Sequence, residues 1–146
     1  MDIFEFKELV NKVRLSNPIW FGLPADNIAD DLSISNAETS LGVKLPIEYI
    51  EFVKEFGGGF FALGTVYSLD EESDINIVNE NKKYNNIRES HIIFSDNGAG
   101  DLYGFKEKNS TCDGKVYEYD HEKNEWSKSP SYEDIYEYLK FTALQN

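Results

Sequence analysis

The apolar period of this chain changes once, near residue 91, and that change limits the folds open to it. Upstream, Ile3, Phe6, Val10 and Val13 recur at spacings of three and four, which places them on one helical face, and Leu9 widens the stripe. In "PIEYIEFVKEF", Tyr49, Phe52, Val53 and Phe56 repeat the pattern. Downstream, "HIIFS", "LYGFK" and "KVYEYD" are short, rich in β-branched and aromatic residues, and separated by turns of Gly, Asn and Asp. Turns that short join only antiparallel neighbours, because a parallel pair needs a long crossover. Helices followed by such a meander, then a last helix, give an α+β fold, a mostly antiparallel sheet packed against N-terminal and C-terminal helices. Length supports a single domain over residues 1–146. Ten Phe, nine Tyr and two Trp supply a core without disulfides or metals.

Local signals divide the chain further. Asn17-Pro18 ends the first helix, since proline disfavours a helical residue before it. Trp20 and Phe21 in the loop "IWFGLPADN" are expected to fold back on the core. A second helix begins with a capping box of Ser35 and Glu38, or is capped by Ser33 or Asp31, and ends at Gly42. Pro46 suits the first turn of the third helix, and Gly57-Gly58-Gly59 stops it. "FFALGTVYSL" has the composition of a strand interrupted by Gly64. The acids of "DEESD" form a turn that caps a helix over 74–84. Ser129-Pro130 opens the last helix, with Tyr132, Ile135, Tyr136 and Leu139 on its apolar face.

The stretch "FSDNGAGDLYGF" invites a search for chemistry. Counted from Asp96 as an EF-hand, the third and fifth positions are Gly98 and Gly100, which offer a cation no side-chain oxygen. A calcium loop of another kind would use Asp96, Asn97 and Asp101. A phosphate cradle would need a helix after the glycines, and a strand follows instead. The expected role is a β connection whose aspartates accept from local amides. The triple glycine follows a helix and precedes a strand, the reverse of a dinucleotide site, and is expected to cap the helix and permit close backbone packing. Cys112, expected in a polar turn, "STCDG", has no base beside it in sequence, and His91 or His121 would have to approach it in space. Two histidines and one cysteine complete a zinc site only with carboxylates. Adjacent acids such as Glu71-Glu72 and Glu133-Asp134 are common by chance in so acidic a chain. No catalytic residue, metal or cofactor is expected.

The charge carries more information. Twenty-seven acids against 14 Lys and Arg leave −13, spread over both halves of the chain. Such a surface repels a phosphate backbone and attracts a basic protein. Two acidic clusters are the candidate contacts: Asp70, Glu71, Glu72 and Asp74 before the fourth helix, and Glu118, Asp120, Glu122 and Glu125 near the last strand. The N-terminus has acids where a signal peptide needs positive charge, and no run approaches the ~18 apolar residues of a membrane span. The expectation is a cytoplasmic protein with no membrane or nucleic-acid partner.

Three blocks together resemble the SUKH superfamily of Smi/Knr-type cell-wall assembly regulators and bacterial immunity proteins. In "LGVKLPIEYIEFVKEFGGG", Leu41, Gly42, Leu45, Pro46, Tyr49, Phe52, Gly57 and Gly58 fit its first block. In "FSDNGAGDLYGF", Gly98, Gly100 and Asp101 fit the second, with Asn97 where a second Asp is common. Gly114 and Val116 fit the third, and the resemblance covers residues 34–144. It implies a curved, mostly antiparallel sheet against helices and shared residues that keep the fold, so no catalytic or contact residue carries over. For small bacterial members it implies immunity, by binding a cognate toxin domain that is often a nuclease. A regulatory adaptor of the Smi/Knr kind is the alternative it implies.

Overall fold

The computed structural model describes residues Met1–Asn146. Helix α1 (Ile3–Ser16) buries Phe6 and Val10, and Asp2 caps it by accepting from the Glu5 amide at 2.9 Å. A 3-10 turn over Pro18–Phe21 follows. Phe21 packs edge-on against Phe61 as expected, whereas Trp20 stays partly exposed outside the core cluster. Helix α2 (Asp31–Leu41) is capped by none of the residues expected. The Asp30 carboxylate accepts from the Ser33 amide at 2.8 Å, and the Ser33 hydroxyl oxygen in turn accepts from the Asp30 amide at 3.0 Å. Glu38 reaches forward instead and accepts from the Leu45 amide at 2.8 Å, which holds the link into the next helix. Gly42 closes α2 with φ +73°, as its position suggested.

Helix α3 (Ile47–Phe56) starts after Pro46 and buries Tyr49, Phe52 and Val53. Leu45 and Pro46 are themselves buried. Gly57 follows at φ +81°, and a Cβ there would overlap the Asp26 carbonyl oxygen. The triple glycine therefore does both things expected of it, ending the helix and admitting the 26–27 loop. The segment after it is a hairpin rather than one strand: β1 (Gly59–Phe61) and β2 (Gly64–Val66) pair antiparallel about Ala62 and Leu63. Helix α4 (Ile77–Lys83) is shorter than expected. Its cap is Asn76, accepting from the Val78 amide at 2.9 Å, and the acids of 70–74 stay in the preceding loop.

The main sheet has the order β3 (His91–Asp96), β4 (Leu102–Lys108), β5 (Thr111–Asp120) and β6 (Glu125–Trp126), all antiparallel. Bulges between Ile93 and Ser95 and between Phe105 and Glu107 shift its register; a bulge bends the strand that carries it. Cys112 sits inside β5, buried, and not in a polar turn. Helix α5 (Ile135–Thr142) is capped by Asp134 and begins later than Ser129-Pro130 suggested, because Tyr132 bridges to Val116 of β5 first.

One cluster of 31 buried residues joins these layers. Phe6 touches Phe52, Phe61 and Tyr136, so α1, α3, β1 and α5 meet at one ring. Phe94 of β3 stacks on Phe105 of β4 with centroids 4.3 Å apart. The outer edge of β3 is closed at Phe94 by the Tyr67 amide and at Ile93 by a side chain. Asn81 donates to the Ile93 carbonyl at 2.8 Å and accepts from its amide at 2.9 Å, so α4 supplies the partner a further strand would.

Candidate functional site

The 96–101 loop is tied by its own side chains. Asp96 accepts from the Gly98 amide at 2.9 Å and from the Tyr67 hydroxyl at 2.6 Å. Asn97 accepts from the amides of Ala99 and Asp101 and donates to the Asp101 carboxylate at 3.1 Å. Asp101 also receives the His121 amide at 3.1 Å, and its carboxylate lies 2.7 Å from His121 Nδ1. The His121 ring packs over Gly100, where an added Cβ would approach it to 2.7 Å. The glycine at 100 thus leaves room for a contact between the loop and the β5–β6 turn. The stretch is a strand connection, as the sequence reading had it, and the turn beyond β5 is fastened to it.

Sequence reasoning missed Tyr67, which joins two of the motif blocks. Tyr49 donates its hydroxyl to the Tyr67 carbonyl at 2.6 Å, and Tyr67 donates its own to Asp96. Helix α3 is thereby wired to the 96–101 loop through a residue that carries no motif signal. Tyr103 was missed too; its hydroxyl lies 3.5 Å from Glu118.

At this end of the sheet the negative charges converge. Burial, then the charges of Asp101 and Asp120, push the Glu118 carboxyl above its usual range. The hydrogen bond from His121 holds Asp101 below the usual range, and the same bond raises His121. Asp120 accepts from the amides of Glu122 and Lys123, while Glu122 and Glu125 are exposed on the turn. Asp101, Asp120 and His121 each bring one ligand-type atom within 4.8 Å of the others. Both Asp101 oxygens are already engaged, Oδ1 by His121 and Oδ2 by Asn97.

The other acidic cluster has a different setting. Asp70 is half-buried and accepts from the amides of Asn27 and Glu72, both at 3.0 Å, so it fastens a loop. Glu71, Glu72 and Asp74 are exposed beside it. The structure places the two clusters on separate elements, and no hydrogen bond or ion pair joins them. Neither cluster is neutralised by lysine. The lysine bridges fall on Glu55, Glu38, Asp31, Glu80 and Glu133.

Between the β1–β2 hairpin and the 96–98 loop lies a cleft of about 440 Å³. Elsewhere, burial and then the charges of Glu107, Asp113 and Glu38 push the Cys112 thiol up to about 12. It stays protonated at neutral pH, when thiolate is the nucleophilic form.

The SUKH_6 family model, described as SMI1-KNR4 cell-wall, matches residues 31–139. The chain belongs to the SUKH family. The match takes in all three motif blocks, from α2 to most of α5. In this SUKH protein Tyr49, Gly57 and Gly100 serve contacts inside the fold. A search of curated proteins finds no match. No helix is long and apolar enough to cross a membrane.

Proposed function

We propose that this SUKH protein is an immunity protein, which neutralises a cognate toxin domain by stoichiometric binding and not by catalysis. The observation that carries the reading is the end of the sheet where Asp101 and Asp120 add to burial in disfavouring the charge of Glu118, with His121 paired to Asp101 and no lysine bridging any of the three. A fold gains nothing from crowding like charges, whereas a basic partner turns the same crowding into attraction. Toxins that cleave nucleic acid need a basic cleft for phosphates, and three close carboxylates offer that cleft the same charge. The partner is then a basic, nuclease-type domain met in the cytoplasm of the cell being protected. No metal or cofactor enters.

Growth rescue tests this. The toxin domain encoded beside this gene is expressed with and without the protein, and any complex is purified at low and high salt. Rescue with a complex whose association slows as salt rises supports the reading. Absence of both rescue and complex refutes it.

A further inference from the structure

The 440 Å³ cleft is lined in part by core residues, Tyr103, Tyr138 and Leu139, and in part by side chains the core does not use. Along β1 the side chains alternate, so Phe61 faces inward at 5% exposure while Phe60 faces out at 50%. Leu63 at the hairpin tip is 47% exposed and Leu23 beside it 61%. These three line the cleft on one side, and Asp96 and Asn97 line it on the other. A second groove of about 360 Å³ shares Leu23 and Phe60 and runs on to Trp20. The exposed apolar side chains therefore make a ridge between two grooves. Contiguous apolar surface of this kind is costly to leave in water and marks contact sites.

The cleft is continuous with the acidic end. Tyr103 lines the cleft and its hydroxyl lies 3.5 Å from Glu118. Asn97 lines it too and donates to Asp101. No Lys or Arg lines the cleft. We infer that one contact face joins the Leu23–Phe60–Leu63 ridge and its cleft to the Asp101–Glu118–Asp120 rim, and that its occupant is a basic protein domain. The inference rests on the immunity reading and names the face that reading would use. Charge selects the occupant. A second copy of a chain carrying −13 would bring its own acidic rim against this one, and an anionic membrane would be repelled likewise. A basic domain instead satisfies the rim and buries the ridge, the arrangement of apolar centre and charged border found in specific interfaces.

The two halves should fail differently. Binding kinetics of the purified neighbouring toxin domain are compared for the wild type, Phe60→Ser/Leu63→Ser, Glu118→Gln/Asp120→Asn and a control, Phe4→Ser, whose side chain is exposed on α1. Circular dichroism and melting verify that each variant is folded. Loss of the ridge should weaken binding about 30-fold through faster dissociation, the scale of an interface anchor. Loss of the rim should slow association about tenfold and flatten its salt dependence. Phe4→Ser should stay within about twofold of wild type. If the wild type binds and neither double variant changes affinity, the face is wrong and the immunity reading survives. If the wild type does not bind, both fall together. Sedimentation showing a dimer that Phe60→Ser/Leu63→Ser dissolves would assign the ridge to a second copy and overturn the inference.

Discussion

Replacing Tyr49 by Phe removes one oxygen atom from the interior and should cost more than its size suggests. Tyr49 and Tyr67 are both 0% exposed. The Tyr49 hydroxyl meets the Tyr67 carbonyl at 2.6 Å, and no other donor reaches that carbonyl. Water cannot replace the lost partner at a fully buried site, so the carbonyl would carry its desolvation penalty, about 1–3 kcal/mol. The ring itself would stay, edge-on to Phe105 at 5.9 Å, so no cavity term adds. For a chain of this size each kcal/mol corresponds to roughly 2–4 °C in melting temperature, which puts the expected fall near ~6 °C. Urea unfolding followed by circular dichroism measures the free energy directly. Tyr49→Leu should lose the ring contacts as well and fall further. A Tyr49→Phe protein as stable as the wild type would refute the reasoning, because it would mean the carbonyl finds another donor or the interior is wetter than the packing shows.

Two further outcomes follow from the same structure. By NMR the two histidines should titrate on opposite sides of their ordinary value of 6.5. His121 should lie above it because of the hydrogen bond to Asp101, and His91 below it because it is buried against Trp126. The stabilising effect of the raised His121 is full below 6.5 and is lost as pH rises through its folded value. For the depressed His91 the loss comes on acidification below 6.5, as the unfolded chain takes up the proton first. The reverse order of midpoints would contradict both assignments. Asn81→Ala should leave the buried amide and carbonyl of Ile93 without partners and cost about 3 kcal/mol in urea unfolding. A neutral Asn81→Ala would show that β3 closes its edge by other means.

Helices α1 and α3 were legible because each carries an apolar stripe at helical spacing and a stop residue, Pro18 after one and Gly57 after the other. Strands β3 to β5 were legible from composition and turns. The helix starts were less so, because several residues in each case could cap and tertiary contacts chose among them. Asp30 won over Ser35 at α2, and Tyr132 was drawn to Val116 before α5 could begin. The β1–β2 hairpin was hidden because its turn uses Ala62 at φ +48° where glycine or asparagine would have announced it. At the candidate site the sequence showed that acids cluster at 118–125. It could not show that Asp101, a motif residue, would join Glu118 and Asp120 in space. That depends on the bulged register of β4 against β5. Tyr67 was invisible for a simpler reason: it acts through its carbonyl as well as its hydroxyl, and a backbone atom leaves no mark on residue identity.

The alternation along β1 has a consequence for how such a protein can diversify. Phe61 is fixed by four aromatic neighbours, while Phe60, one residue away, faces solvent outside that packing. Surface substitutions of that kind usually change stability by about 0.5 kcal/mol or less. Positions 23, 60 and 63 can therefore accumulate substitutions at little cost to the frame, and a change of partner can be explored there one side chain at a time.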